Sequence, residues 1–216
     1  DSVSTAPLAP NISLWKNLSP PIDAKLDRTN DNVDWLAKVA YDIGDSSMIY
    51  ASAGTATKSG NFTGAGGAPD EREFDDEDTI SYELGLKSTL LDSRMRLNAA
   101  AFYSEVENYQ FQQQLPSGIG TFVSTAAEVE TSGIDIQLEA LPLPNLTLTA
   151  GLLYMHEYEV TAGPNKGDAL PYTADFSGNL GATLVFPLAD GGVYLRADYI
   201  FMDDHATNVS PEADLR

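Results

Sequence analysis

The chain has 216 residues, with 12 Lys and Arg against 32 Asp and Glu, a formal net charge of −20. That balance excludes nucleic-acid binding, which draws its affinity from clustered cations, and the 43% hydrophobic content excludes a disordered acidic polymer. Without cysteine there is neither a disulfide framework nor a thiolate metal site, and no apolar run nears the roughly 18 residues a membrane helix needs.

The first residues, DSVSTAPLAP, lack the basic and apolar regions of a signal peptide. Residues 1–32 read as an irregular segment leading into the strand-rich part of the chain. From Val33 to Met202 the dominant signal is alternation of period two, which marks strands with one apolar and one polar face. Two weaker strands come first, at about 33–41 and 48–57. Then Ile80, Tyr82, Leu84 and Leu86 oppose Ser81, Glu83, Gly85 and Lys87. Next, Leu97, Ala99, Ala101 and Tyr103 oppose Asn98, Ala100, Phe102 and Ser104, with the pattern running on through Phe111. Ile134, Ile136, Leu138 and Ala140 oppose Asp135, Gln137 and Glu139, and Leu146, Leu148, Ala150, Leu152 and Tyr154 oppose Thr147, Thr149, Gly151 and Leu153. Strands through Phe176 to Phe186 and Val193 to Phe201 complete a set of eight.

The connections alternate in length. Short turns fall near 43–46, 91–94, 142–145 and 189–192; long polar loops fall at 58–78, about 115–127, about 159–172 and from Asp203 onward. This is the pattern of an antiparallel up-and-down transmembrane β-barrel with short periplasmic turns and long extracellular loops, which places residues 33–216 in part of a barrel in the outer membrane. Tyr82, Tyr103, Tyr154, Phe176, Tyr199 and Phe201 gather toward the long-loop ends, where an aromatic girdle belongs. Glu105 and Glu107 follow Tyr103 on the same face, a costly arrangement at mid-bilayer and a cheap one above it. Two other architectures fit the alternation. One is a soluble β-sandwich serving as a binding or adhesion module; the other is a small passive outer-membrane barrel whose eight strands close on themselves.

Several residues fit a ligand vestibule at the loop ends: Tyr109, Gln110, Phe111 and Gln112 beyond one strand, His156 at the top of another, and Asp203 with His205 in the last loop. The acidic run from Asp70 to Asp78 lacks the spacing and glycine of an EF-hand and reads as a solvated loop. The glycine-rich stretch from Gly60 to Ala68 fits neither phosphate-loop fingerprint. Two histidines at loop ends supply no catalytic triad. No enzyme, resident metal or cofactor is expected.

The segment Asn32-Val33-Asp34-Trp35-Leu36-Ala37-Lys38-Val39, the pattern Ser81-Tyr82-Glu83-Leu84-Gly85-Leu86-Lys87-Ser88, the stretch Arg96 to Tyr103 and the strand Gly133-Ile134-Asp135-Ile136-Gln137-Leu138-Glu139 together resemble the late barrel of TonB-dependent receptors. In the last of these, Asp135 and Gln137 occupy positions that are acidic in the family pattern. The resemblance implies a barrel of about 22 strands with an N-terminal plug, embedded in outer-membrane lipid and lipopolysaccharide. It further implies energised import through a TonB complex, which would act on the plug region. The cargo would be a scarce nutrient, foremost a ferric siderophore or similar metal chelate, with haem, cobalamin or a glycan as alternatives. On this reading the chain is a fragment of such a receptor.

Overall fold

The computed structural model describes residues 27–63, 73–114, 121–125, 127–163 and 166–206. In chain order its strands are β1 (Leu36–Ile43), β2 (Ser47–Lys58), β3 (Asn61–Phe62), β4 (Glu73–Phe74), β5 (Glu77–Leu90), β6 (Met95–Glu107), β7 (Phe111–Gln114), β8 (Thr121–Ser124), β9 (Glu128–Leu143), β10 (Leu146–Ala162), β11 (Phe176–Leu188) and β12 (Gly191–Met202). Eight of them form one sheet in the order β1-β2-β5-β6-β9-β10-β11-β12, each antiparallel to its neighbour. The two remaining pairs, β3–β4 and β7–β8, are small hairpins within the long loops.

Register carries the sidedness of each strand across the sheet. One row runs Val39, Ala51, Leu84, Ala101, Ile134, Tyr154, Phe176; the adjacent row on the opposite face runs Lys38, Ser52, Glu83, Phe102, Gly133, Met155. We call the first face outward and the second inward. The outward aromatics meet as the girdle requires: Tyr82 and Tyr103 stack at 6.5 Å, Phe176 and Phe201 at 5.7 Å, and Tyr199 and Phe201 at 6.0 Å.

The outward face has no partner layer among the described residues, so Val39, Leu84 and Leu180 are 68%, 62% and 52% exposed. A sandwich would cover them with a second sheet. The sandwich architecture is therefore not what these residues form. The small closed barrel also falls away, because β1 and β12 do not pair with one another among the described residues.

Two local details depart from simple alternation. The strand expected to run through Phe111 stops at Glu107, because Asn108 takes a left-handed backbone (φ 53°) that redirects the chain. In β10 the alternation continues past Tyr154, but a β-bulge interrupts it. Met155 pairs with Gly133 and Glu157 with Ser132, which leaves His156 as the extra residue. Beyond the bulge Glu157 and Glu159 face outward, and Tyr158 and Val160 face inward opposite Thr131 and Val129.

The short turns lie at the other end. Leu91, Asp92 and Ser93 all take positive φ (56°, 54°, 66°). Arg94 ties this turn to its neighbour by donating from Nε to the Leu141 carbonyl at 3.0 Å and from Nη2 to that of Pro142 at 2.5 Å. Gly133 is required by close approach. A Cβ there would sit 2.4 Å from the Tyr154 carbonyl oxygen and 2.8 Å from Phe102 Cζ. Since backbone cannot yield as a flexible side chain does, Gly133→Ala is expected to destabilise the sheet by about 1–3 kcal/mol, read as a lower urea midpoint of the refolded protein in lipid vesicles.

Candidate functional site

The long-loop end of the inward face contains the most buried cluster among the described residues. Val129 and Val160, turned inward on β9 and β10, form a cluster with Phe111, Ala127 and Leu170, flanked by Val106, Tyr109 and Tyr158. Phe111 is 6% exposed, Val129 1% and Val160 2%; among the described residues Tyr50 is the one other large buried side chain on a strand. Loops supply what the strands lack. Tyr109 N–H donates to the Ala127 carbonyl at 2.9 Å, and Leu170 N–H to that of Tyr158 at 2.8 Å, laying the 166–175 segment along β10. Burial first, and then the nearby Glu77 charge, push the Tyr109 phenol above its ordinary range.

A polar clasp joins this cluster to the other loops. Gln110 donates from its side-chain amide to the carbonyls of Lys58, Ser59 and Asp75 at 3.2, 3.3 and 3.0 Å, and from its backbone to Glu77 Oε2 at 2.7 Å. Arg28, ahead of β1, contacts Glu73 at 2.8 Å and Asp76 at 3.0 Å and donates to the Phe74 carbonyl at 3.2 Å. Asp76 in turn accepts from Gly60 N–H at 2.6 Å. Three separate loop segments are thereby held together.

Toward the last strands, the Tyr158 hydroxyl donates to Asp175 on the inward face. That hydrogen bond, then burial and the carboxylate charge, push the phenol up to about 12. Lower down, the inward face is a polar wall. Arg96 lies 3.8 Å from Glu139, Arg196 makes two 2.7 Å contacts to Asp198, and Asn98, Asp135, Gln137 and Asn179 line a concavity of about 480 Å³.

The structure does not gather the residues singled out from the sequence. Tyr109 and Phe111 belong to the loop cluster, stacked at 6.2 Å, and Gln112 next to them is exposed. His156 is exposed at the bulge with its ring 6.5 Å from Tyr154. Asp203 and His205 continue β12 beside β11: Asp203 N–H donates to the Phe176 carbonyl at 2.9 Å, and His205 pairs with Ala174, its ring 6.3 Å from Tyr172. Among the described residues no group of three His, Asp or Glu could hold a metal ion. Of the acidic run, Glu73, Asp75 and Asp76 sit around Arg28, while 70–72 lie outside the described residues, as do 64–68 of the glycine-rich stretch. Arg28 and the Tyr158–Asp175 pair went unread in the sequence, and Gln110, read there with its neighbours as lining a vestibule, is instead spent on the loop clasp.

Comparison with known proteins converges on one group. The family described as TonB dependent receptor-like, beta-barrel matches residues 13–213. The metal-pseudopaline receptor of Pseudomonas aeruginosa is 31% identical over 134 residues, 61% of this chain and 18% of that protein. The ferric-pyoverdine 358 receptor of Pseudomonas putida is 29% identical over 123 residues, 56% of this chain and 14% of that protein. The chain thus spans under a fifth of the curated relatives it matches. Among solved structures, the ferric yersiniabactin uptake receptor of Yersinia pestis superposes with a TM-score of 0.70 at 17% identity, covering 82% of this chain and 27% of that one. The ferric preacinetobactin receptor of Acinetobacter baumannii gives 0.62 at 19%, covering 81% and 26%. These are receptors, not enzymes.

Two outcomes test the site's construction. Arg28→Gln should leave the sheet intact and speed cleavage at Glu73 and Glu77 by a glutamate-specific protease severalfold, because a largely covered guanidinium loses several charged partners at once. For Tyr158, the raised pKa means its hydrogen bond contributes fully below the free phenol value near 10 and is lost as pH rises through about 12. The absorbance difference at about 295 nm between the protein and its Tyr158→Phe variant should show that late ionisation; a midpoint at the free value would contradict it.

Proposed function

The chain belongs to the TonB-dependent receptor β-barrel family, and from that premise we propose that it is wall and loop of an outer-membrane receptor importing a metal chelate, foremost a ferric siderophore. The observation that carries this reading is the division of one sheet between two solvents. A bare apolar outward face with an aromatic row suits lipid, and a polar inward face suits a wet or filled bore. The names of the relatives, receptors for metal-pseudopaline and ferric pyoverdine, support a chelated metal as cargo.

In this reading the extracellular loops capture the ligand. The packed Tyr109–Phe111 cluster holds them in place and presents Gln112, while Tyr158 and Asp175 face the mouth and Asp203 and His205 stand at the rim. His156, beside Tyr154, meets lipopolysaccharide at the headgroup level. Energy would come from a TonB complex acting on parts of the protein outside these residues.

Deleting the gene should abolish growth under metal limitation and uptake of the labelled chelate, and a protonophore should abolish uptake in the parent. Unchanged uptake by the deletion strain would refute the reading. In a Trp15→Phe background, brominated lipid should quench Trp35, which is half exposed at the start of β1; an unquenched Trp35 would refute the membrane placement. Phe111→Ser, which opens the loop cluster, should weaken chelate binding by about tenfold or more while leaving membrane insertion unchanged.

A further inference from the structure

The outward face is not evenly ridged. Across β1, β2, β5 and β6 the small side chains of Ala37, Ala51, Ala53 and Ala101 leave an apolar groove of about 660 Å³. The stacked rings of Tyr82 and Tyr103 bound it toward the long loops. Beyond them a second groove of about 320 Å³ opens, lined by Asp34, Trp35, Thr57, Asp78, Glu105 and Glu107. The two continue each other along the same strands. Two residues on, Ala37 gives way to Trp35, Ala53 to Thr55, Tyr82 to Ile80 and Tyr103 to Glu105.

The upper groove has more hydrogen-bond acceptors than donors. The Thr57 hydroxyl lies 3.1 Å from Asp34 Oδ1 and 3.0 Å from Asp78 Oδ1, and its single proton can serve one of them. The Tyr103 hydroxyl, 2.7 Å from Glu105 and 3.1 Å from Glu130, falls short in the same way. No cation of these strands offsets the carboxylates, since Lys38, Lys58, Lys87 and Arg96 all stand on the inward face. A phosphorylated headgroup would add acceptors and negative charge here. A second copy docked by the same face would set carboxylate against carboxylate.

We propose that these stacked grooves seat one outer-leaflet glycolipid, an acyl chain in the lower and a sugar without phosphate in the upper. This rests on the membrane placement in the receptor reading above and goes beyond it. Sugar hydroxyls supply the donors that Asp34, Asp78 and Glu105 lack, and the half-exposed Trp35 gives the sugar an apolar surface to lie on. Tyr82 and Tyr103 mark the join between chain and head.

Native mass spectrometry of the purified full-length receptor in mild detergent tests the seat. The competing probes are monogalactosyl diacylglycerol and phosphatidylglycerol with identical acyl chains. The sugar lipid should be retained about tenfold better, the worth of one hydrogen bond to a charged group. Ala51→Phe, which fills the apolar groove, should lose that retention, with folding checked by heat-modifiable gel migration. Asp78→Lys should reverse the preference toward phosphatidylglycerol. Equal retention of the two lipids, or retention unaffected by Ala51→Phe, would overturn the proposal. So would preference for phosphatidylglycerol on adding magnesium, since that assigns the carboxylates to a metal-bridged phosphate. Failure of the receptor reading shows separately, as absence of the protein from the outer-membrane fraction.

Discussion

Inter-strand hydrogen bonding is the constraint that governs every other feature of this wall. In hydrocarbon an unpaired backbone N–H or C=O costs several kcal/mol, so a membrane wall of strands must pair each strand with its neighbours. The continuous antiparallel ladder from β1 to β12 meets that demand, leaving its outer edges at β1 and β12. Once the ladder is set, period-two geometry makes every row of side chains belong wholly to one face. Val39 to Phe176 can then meet an apolar solvent while Lys38 to Met155 meet a polar one.

The absence of a conventional core among the described residues is a consequence. A soluble sheet hides its apolar face against another layer; here that face stays bare, and compact burial moves to the long-loop end. Loops that would otherwise waver over the mouth acquire stiffness from Phe111, Val129 and Val160 beneath and from the Arg28 and Gln110 clasp beside them. Preorganised loops lose less freedom on meeting a ligand. Wall and mouth thus have different sources of stability, the lipid for one and a small hydrophobic cluster for the other.

The wall was legible in the sequence because its information is local. Tyr82, Leu84 and Leu86 announce their face without reference to any partner, and turn lengths announce the direction of the chain. The mouth was less legible because it depends on distant pairs. Arg28 meets Glu73 and Asp76 more than forty positions away. Phe111 reads as the end of a strand unless the left-handed backbone of Asn108 is known. Tyr154, His156, Tyr158 and Val160 look like one continuous stripe, and only the pairing with Gly133 and Ser132 reveals the break.

That break at His156 has an evolutionary consequence. The bulge absorbs the supernumerary residue, so Glu157 to Val160 stay paired in step with Ser132 to Val129 and every residue below keeps its orientation. Losing the His156 codon would join Met155 to Glu157 in plain alternation, leaving Tyr158 and Val160 on the inner face and the band below unaltered. A lineage can thereby lengthen or shorten this strand by one codon at the bulge while both faces of the wall keep their side chains.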